Sequence, residues 1–128
     1  MKSYTDIEQS KQLAEILPIE SADMFYLKIP NSSEVGYNYS DLPYFASLGL
    51  KDNLPCWSLA ALLERLDDEI TDEDGNDYNL TIVKEGCQYQ LYYHDKWYEA
   101  GDIETDWYDD MIDACVEMIV KLHKEGIL

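Results

Sequence analysis

The chain is short of positive charge, and of arginine above all. Eight lysines and a single arginine, Arg65, face twenty-seven Asp and Glu in 128 residues, giving a formal net charge of −18. A field of that sign repels phosphates and anionic lipid, so neither direct nucleic-acid binding nor membrane contact is expected. Bidentate recognition of carboxylate or phosphate recruits arginine, so sites for such ligands are poorly supplied. Long apolar runs are missing too. No stretch approaches the ~20 residues of a membrane-crossing helix. The three cysteines (Cys56, Cys87 and Cys115) are odd in number and scattered, with no Cys-x-x-Cys. That pattern fits reduced thiols rather than a disulfide framework. The opening residues MKSYTDIEQSKQ lack the apolar core of a secretion signal, and the expected location is cytoplasmic. No G-x-G-x-x-G, Walker A or G-x-S-x-G element is found, so no cofactor is expected and a nucleotide or esterase reading has no local support. Two His and three Cys at these spacings make no zinc signature.

What remains is a hydrophobic, tyrosine-rich chain. Apolar and aromatic residues make up 46% of it, with eleven Tyr, which is too much for a disordered polymer. The length fits one domain over 1–128. Thr5-Asp6-Ile7-Glu8 reads as a capping box with Thr5 as N-cap, opening a helix from about Asp6 to Leu17. Its apolar face is Ile7, Ala14 and Leu17, with Leu13 beside them. Met24 to Ile29 reads as a strand, and 31–54 as loop with one strand near Tyr37 and Tyr39. Pro55 in a first turn introduces a second short helix over LAALLERL, buried through Trp57, Ala60, Ala61 and Leu63 to Leu66. The run DDEITDEDGND, seven acids in eleven residues, reads as loop. Residues 78–84 and 88–93 alternate about Glu85-Gly86-Cys87 and predict a hairpin, continued by a third strand over Lys96 to Ala100. Thr105 or Asp106 caps a final helix from about Trp107 to Lys124, with Met111, Ile112, Cys115, Met118, Ile119 and Leu122 as its stripe. The expected fold is α+β: an antiparallel sheet of three or four strands, with the meander at 78–100. A long C-terminal helix and two shorter helices pack against it.

Two acidic groups are the candidate interaction residues. One is the loop set Asp67, Asp68, Asp72, Glu73 and Asp74; the other is the helix set Asp106, Asp110, Asp113 and Glu117. The loop 72–77 invites a cation, since hard cations take oxygens at alternating positions. An EF-hand started at Asp72 needs Gly where Asp77 sits and Glu where Val83 sits, and a solvated turn fits better. No metal site is therefore assigned. The helix acids lie opposite the apolar stripe and so in water, which leaves nothing to separate their pKa values for acid–base work. Cys–His pairing for nucleophilic catalysis finds no suitable spacing, and no catalytic residue is assigned. Tyr26, Tyr37, Tyr39, Tyr44 and Tyr92 suit either an interface or the edge of a core.

The phrases EQSKQLAEILPIESADMFY, LPCWSLAALLERL and DMIDACVEMIVKLHKEGIL resemble a family of small proteins from gut bacteria and their phages or mobile elements. The resemblance covers most of the chain. That family carries no assigned activity or cofactor, so it implies a mobile-element context and no mechanism. The expected function is that of a non-catalytic acidic protein, an inhibitor or mimic that occupies a basic protein surface. A metal-dependent binder or enzyme using loop 72–77, and an immunity-type protein, are the alternatives. Plain solubility is the bland account of the charge.

Overall fold

The computed structural model describes residues 2–31, 36–46, 52–97 and 101–128. Among them are three α-helices and a set of short strands, all paired antiparallel, which makes the fold α+β as expected. The first helix, α1, runs Ile7–Ala14. Its cap is Asp6 and not Thr5: the Asp6 carboxylate accepts from Gln9 N–H at 2.8 Å, and the Gln9 side chain accepts from Asp6 N–H at 3.0 Å. Thr5 is displaced from that role because it is wholly buried under β5. The inward face of α1 carries Ser10 and Leu13, continued by Leu17 beyond its end, while Ala14 is exposed.

Five short strands follow: β1 Met24–Tyr26, β2 Lys28–Pro30, β3 Tyr37–Tyr39, β4 Tyr44–Phe45 and β5 Leu54–Cys56. They form a three-stranded sheet ordered β4-β1-β5 and a two-stranded ribbon β2-β3. The strand near Tyr37 and Tyr39 is therefore present, and the strand over Met24 to Ile29 is split in two. Pro55 lies inside β5, so it does not start a helix; its missing N–H is tolerated because β5 is an edge strand of its sheet. The second helix, α2, is Leu59–Arg65, capped by Ser58, whose hydroxyl accepts from Ala61 N–H at 3.2 Å. Asp23 in turn holds Ser58, accepting from its backbone N–H at 2.9 Å and from its hydroxyl. Leu62 and Ala61 are the buried residues of α2, and Ala60 faces out.

The main sheet is β6 Glu69–Thr71, β7 Asp77–Glu85, β8 Gln88–Asp95 and β9 Ile103–Glu104, in that order. The β7–β8 hairpin turns where expected, with Ile82 opposite Leu91 and Leu80 opposite Tyr93. Two corrections concern its flanks. Part of the acidic run read as loop pairs with β7 as β6, since Ile70 has an apolar cluster to join. The strand after β8 is β9, not Lys96 to Ala100; Lys96 and Trp97 are turn, and 98–100 lie outside the described residues. The turn is held by Asp95, a buried acid that accepts from Trp97 N–H at 2.9 Å.

The last helix, α3, spans Met111–Lys124 with Asp110 as N-cap. It starts four residues later than the pattern suggests because Tyr108 is tied to the sheet. Tyr89 N–H donates to Tyr108 C=O at 2.7 Å, and Tyr108 N–H donates back at 2.9 Å. Seven α3 residues are buried: Ile112, Ala114, Cys115, Val116, Met118, Ile119 and Leu122. They meet Leu91 and Tyr93 of β8, Leu62 of α2 and Leu13 of α1 in the principal core. A smaller cluster of Tyr26, Leu54 and Cys56 closes the β1/β5 end.

Candidate functional site

The acids of 67–77 are organised around β6, an outer strand of the main sheet. Main-chain bonds pin the strand. Asp67 C=O accepts from the Tyr93 hydroxyl at 2.7 Å, and Asp68 C=O accepts from Leu80 N–H at 2.9 Å. Alternation sends Ile70 inward and Glu69 and Thr71 outward. Asp67, Asp68, Glu69, Glu73 and Asp74 are exposed. Of their side chains, only Glu69 has a counter-ion among the described residues, Lys96 at 2.7 Å, whose ammonium pKa is raised by that contact.

Asp72 is different in kind. Its Oδ1 accepts from Asp74 N–H at 3.0 Å and Asn76 N–H at 2.9 Å; its Oδ2 accepts from Asn76 Nδ2 and the Tyr78 hydroxyl, both at 3.0 Å. The Asn76 side chain, then its backbone N–H, hold the carboxyl below its ordinary pKa. Gly75 closes the turn at φ +83, a left-handed conformation that glycine adopts without strain. Two donors on each oxygen occupy the lone pairs that a cation would need. The residue that most invited a metal reading is thus the internal brace of the loop. Among the described residues, no group of three or more His, Cys, Asp and Glu is arranged to hold a metal ion.

The helix acids are not simply in water. Asp110 caps α3 through Ile112 N–H at 3.1 Å and accepts from Lys2 N–H at 2.6 Å. Asp113 receives the Lys2 ammonium at 2.9 Å and Gln9 Nε2 at 2.6 Å, which ties the start of the chain to α3. Glu117 accepts from Asp106 N–H at 2.9 Å and lies 3.7 Å from Lys121. The side chains of Asp113 and Glu117 are only 27% and 20% exposed. Both line a groove of about 380 Å³ between α1 and α3, with Tyr108 and Val120. Of this group Asp106 alone is exposed, and the other three are half-buried.

The two acidic groups do not meet. Glu73 lies against Gly126, past the C-terminal end of α3, whereas Asp110 and Asp113 sit at its first turn. Fourteen helical residues separate the two places by ~20 Å at the standard rise. That exceeds two screening lengths at physiological salt, ~8 Å each, so Glu73 and the acids of the first turn act as separate fields.

Sequence reasoning overlooked one polar pair. His94 Nδ1 lies 2.8 Å from Asp102 Oδ1 on the sheet face away from α3, beside the Tyr92 ring. Its signal is weak in sequence, because Asp102 comes from the far side of the β8–β9 connection. Cys87, in the hairpin turn, is roughly 23 Å along the strand from His94 at 3.3 Å per residue. Cys56 and Cys115 are buried, and burial raises both thiol pKa values, Cys115 to about 12. Neither buried thiol is primed to act as a nucleophile. Tyr26 is buried and donates to Thr5 C=O at 2.8 Å, a structural role. Tyr37 and Tyr44 are exposed, as are Leu42 and Phe45, the last at 72%.

No helix among the described residues is long and apolar enough to cross a membrane. No family model matches the chain, and no curated protein and no solved structure matches it.

Proposed function

We propose that this is a non-catalytic acidic interaction protein that occupies a basic surface on another protein, with the β6 margin as its contact. The observation that carries the reading is the set of carboxylates on Asp67, Asp68, Glu73 and Asp74. They project from a strand and turn whose backbone is pinned at Asp67, Asp68 and Asp72, and they have no counter-ion among the described residues. Charges held on a rigid frame lose little entropy on pairing and steer a basic partner by long-range attraction. The helix set contributes less, because Asp110, Asp113 and Glu117 already serve the fold. The partner class that fits is a protein with a basic patch that binds phosphates, and the acidic margin mimics those phosphates electrostatically. The mobile-element context implied by the sequence resemblance is compatible with such an inhibitor. It also suits an immunity-type protein that neutralises a basic toxin.

The test is comparative capture from a bacterial lysate. Wild type is set beside a variant with Asp67→Asn, Asp68→Asn, Glu73→Gln and Asp74→Asn, leaving Asp72 to brace the loop. A second variant neutralises Asp106 alone. The reading expects a basic protein retained by wild type and by the Asp106 variant, released by salt and absent from the fourfold variant. Equal retention by all three would remove the β6 margin as the contact.

A further inference from the structure

Arg65 is the only arginine in a chain with twenty-seven acids, yet among the described residues it forms no ion pair and no hydrogen bond. Its Nε is buried without a partner. The rest of the half-buried side chain keeps its access to water, but an Nε–H left this way costs the fold free energy, because a buried donor has lost water without replacement. Evolution of a surface this acidic had ample means to pair it. The side chain lines a cavity of about 400 Å³ between the end of α2, β6 and the tail of α3, walled by Ile16, Ile70 and Leu122. Glu64 and Asp67 line the same space without reaching the guanidinium. The volume lies in the range of small-molecule sites, and apolar walls with a few convergent polar groups are their usual chemistry.

Three features select the ligand class. A planar guanidinium fork matches a carboxylate. Two neighbouring acids and the net charge of −18 disfavour a simple anion and call for a compensating cation. The cavity also sits at the C-terminal end of α2, where unpaired carbonyls favour positive charge. We propose that this cavity binds a zwitterion with an apolar side chain, an α-amino acid of the leucine type. Its carboxylate meets Arg65, its ammonium faces Glu64 and Asp67, and its side chain lies against Ile16, Ile70 and Leu122. The site shares Asp67 with the β6 margin but does not depend on a protein partner.

The experiment is NMR titration of the full chain with leucine, isocaproate (the same skeleton without the amine), isoamylamine (without the carboxylate) and glycine. Leucine is expected to shift the Ile16, Ile70 and Leu122 methyls and the Arg65 Nε–H saturably. Each truncated analogue is expected to bind at least ~10-fold more weakly, the loss of about 1.4 kcal/mol for one charged contact. Arg65→Gln is expected to lose leucine binding while keeping or raising its melting temperature, since it removes an unpaired buried donor. Glu64→Gln, at an exposed position, is expected to weaken leucine but not isocaproate. The proposal is overturned if leucine produces no saturable shift up to its solubility limit. Isocaproate binding as tightly as leucine, or Arg65→Gln binding like wild type, overturns it equally.

Discussion

Thr5 offers the sharpest test of how the start of the chain is held. It is wholly buried, and its hydroxyl accepts from Trp57 N–H at 3.2 Å, shares a proton with Ser10 at 2.8 Å and lies 3.5 Å from Cys56 Sγ. Thr5→Val keeps the shape and removes the hydroxyl, so Trp57 N–H is orphaned in the core and Ser10 loses a partner. An unsatisfied buried group costs ~1–3 kcal/mol, and ~2 kcal/mol is a fair centre because the Ser10 hydroxyl is able to rotate. Unfolding 128 residues releases about 270 cal/mol/K near 60 °C, so that loss lowers the melting temperature by ~7 °C. Thr5→Ser is the control: it retains the hydroxyl and deletes one methyl, for about 1 kcal/mol and ~4 °C. Thermal melts by circular dichroism at neutral pH, checked by urea unfolding, measure both. Thr5→Val combined with Ser10→Ala should cost less than the sum of the two, because they share one bond. A valine variant as stable as wild type, or more stable than the serine variant, would refute the argument: packing rather than hydrogen bonding would then hold this junction.

Iodoacetamide should alkylate Cys87 alone in the native protein and all three cysteines in denaturant, which peptide mapping by mass spectrometry reads directly. Stability should fall as pH rises from about 9 towards 12. Burial raises the folded pKa of Cys115, Tyr78 and Tyr108 to about 12, above their ordinary values of 9.0 for the thiol and 10.0 for the phenols. Their contribution is thus full below the unfolded values and lost on the way up; melts across that range that stay flat would contradict it. Asp72 has the opposite sign: its folded pKa is lowered below 3.8, so its contribution is present at neutral pH and fades as pH drops below that value. Asp72→Asn should accordingly melt lower than wild type at neutral pH, with the gap closing in acid. Leu91→Ala should cost ~2–5 kcal/mol in urea unfolding, because Leu91 is fully buried between the sheet and α3.

Periodicity served best where one element buries one side. The stripe Ile112, Cys115, Met118, Ile119 and Leu122 is buried as read, with Met111 at its start only half-buried, and the hairpin register follows from its turn. It failed where a long-range partner overrides a local signal. Thr5 looks like a cap until Trp57 and Cys56 claim its hydroxyl, and Asp6 takes the cap instead. Trp107 to Asp110 scan as helix until Tyr89 draws Tyr108 into the sheet. Ile70 is one apolar residue among seven acids, too little to announce a strand, yet enough once β7 is beside it. The candidate acids were legible as residues and not as a surface, because their division between exposed carboxylates and internal braces depends on Lys2, Gln9, Asn76 and Tyr78. Arg65 was legible only as a scarcity; its lack of a partner is a property of three dimensions.

The placement of α3 has a bearing on how the chain is made. It supplies seven of the twenty-one buried hydrophobic residues among those described and is the last of these elements to be synthesised. Until it arrives, Leu13, Leu62, Leu91 and Tyr93 have lost their common partner, and the Lys2 clamp on Asp113 waits across 111 residues. At ~5–20 residues per second, a nascent chain therefore carries a sticky, half-built sheet for seconds. The surplus of negative charge is then a safeguard during birth, because like-charged nascent chains repel one another before their cores close.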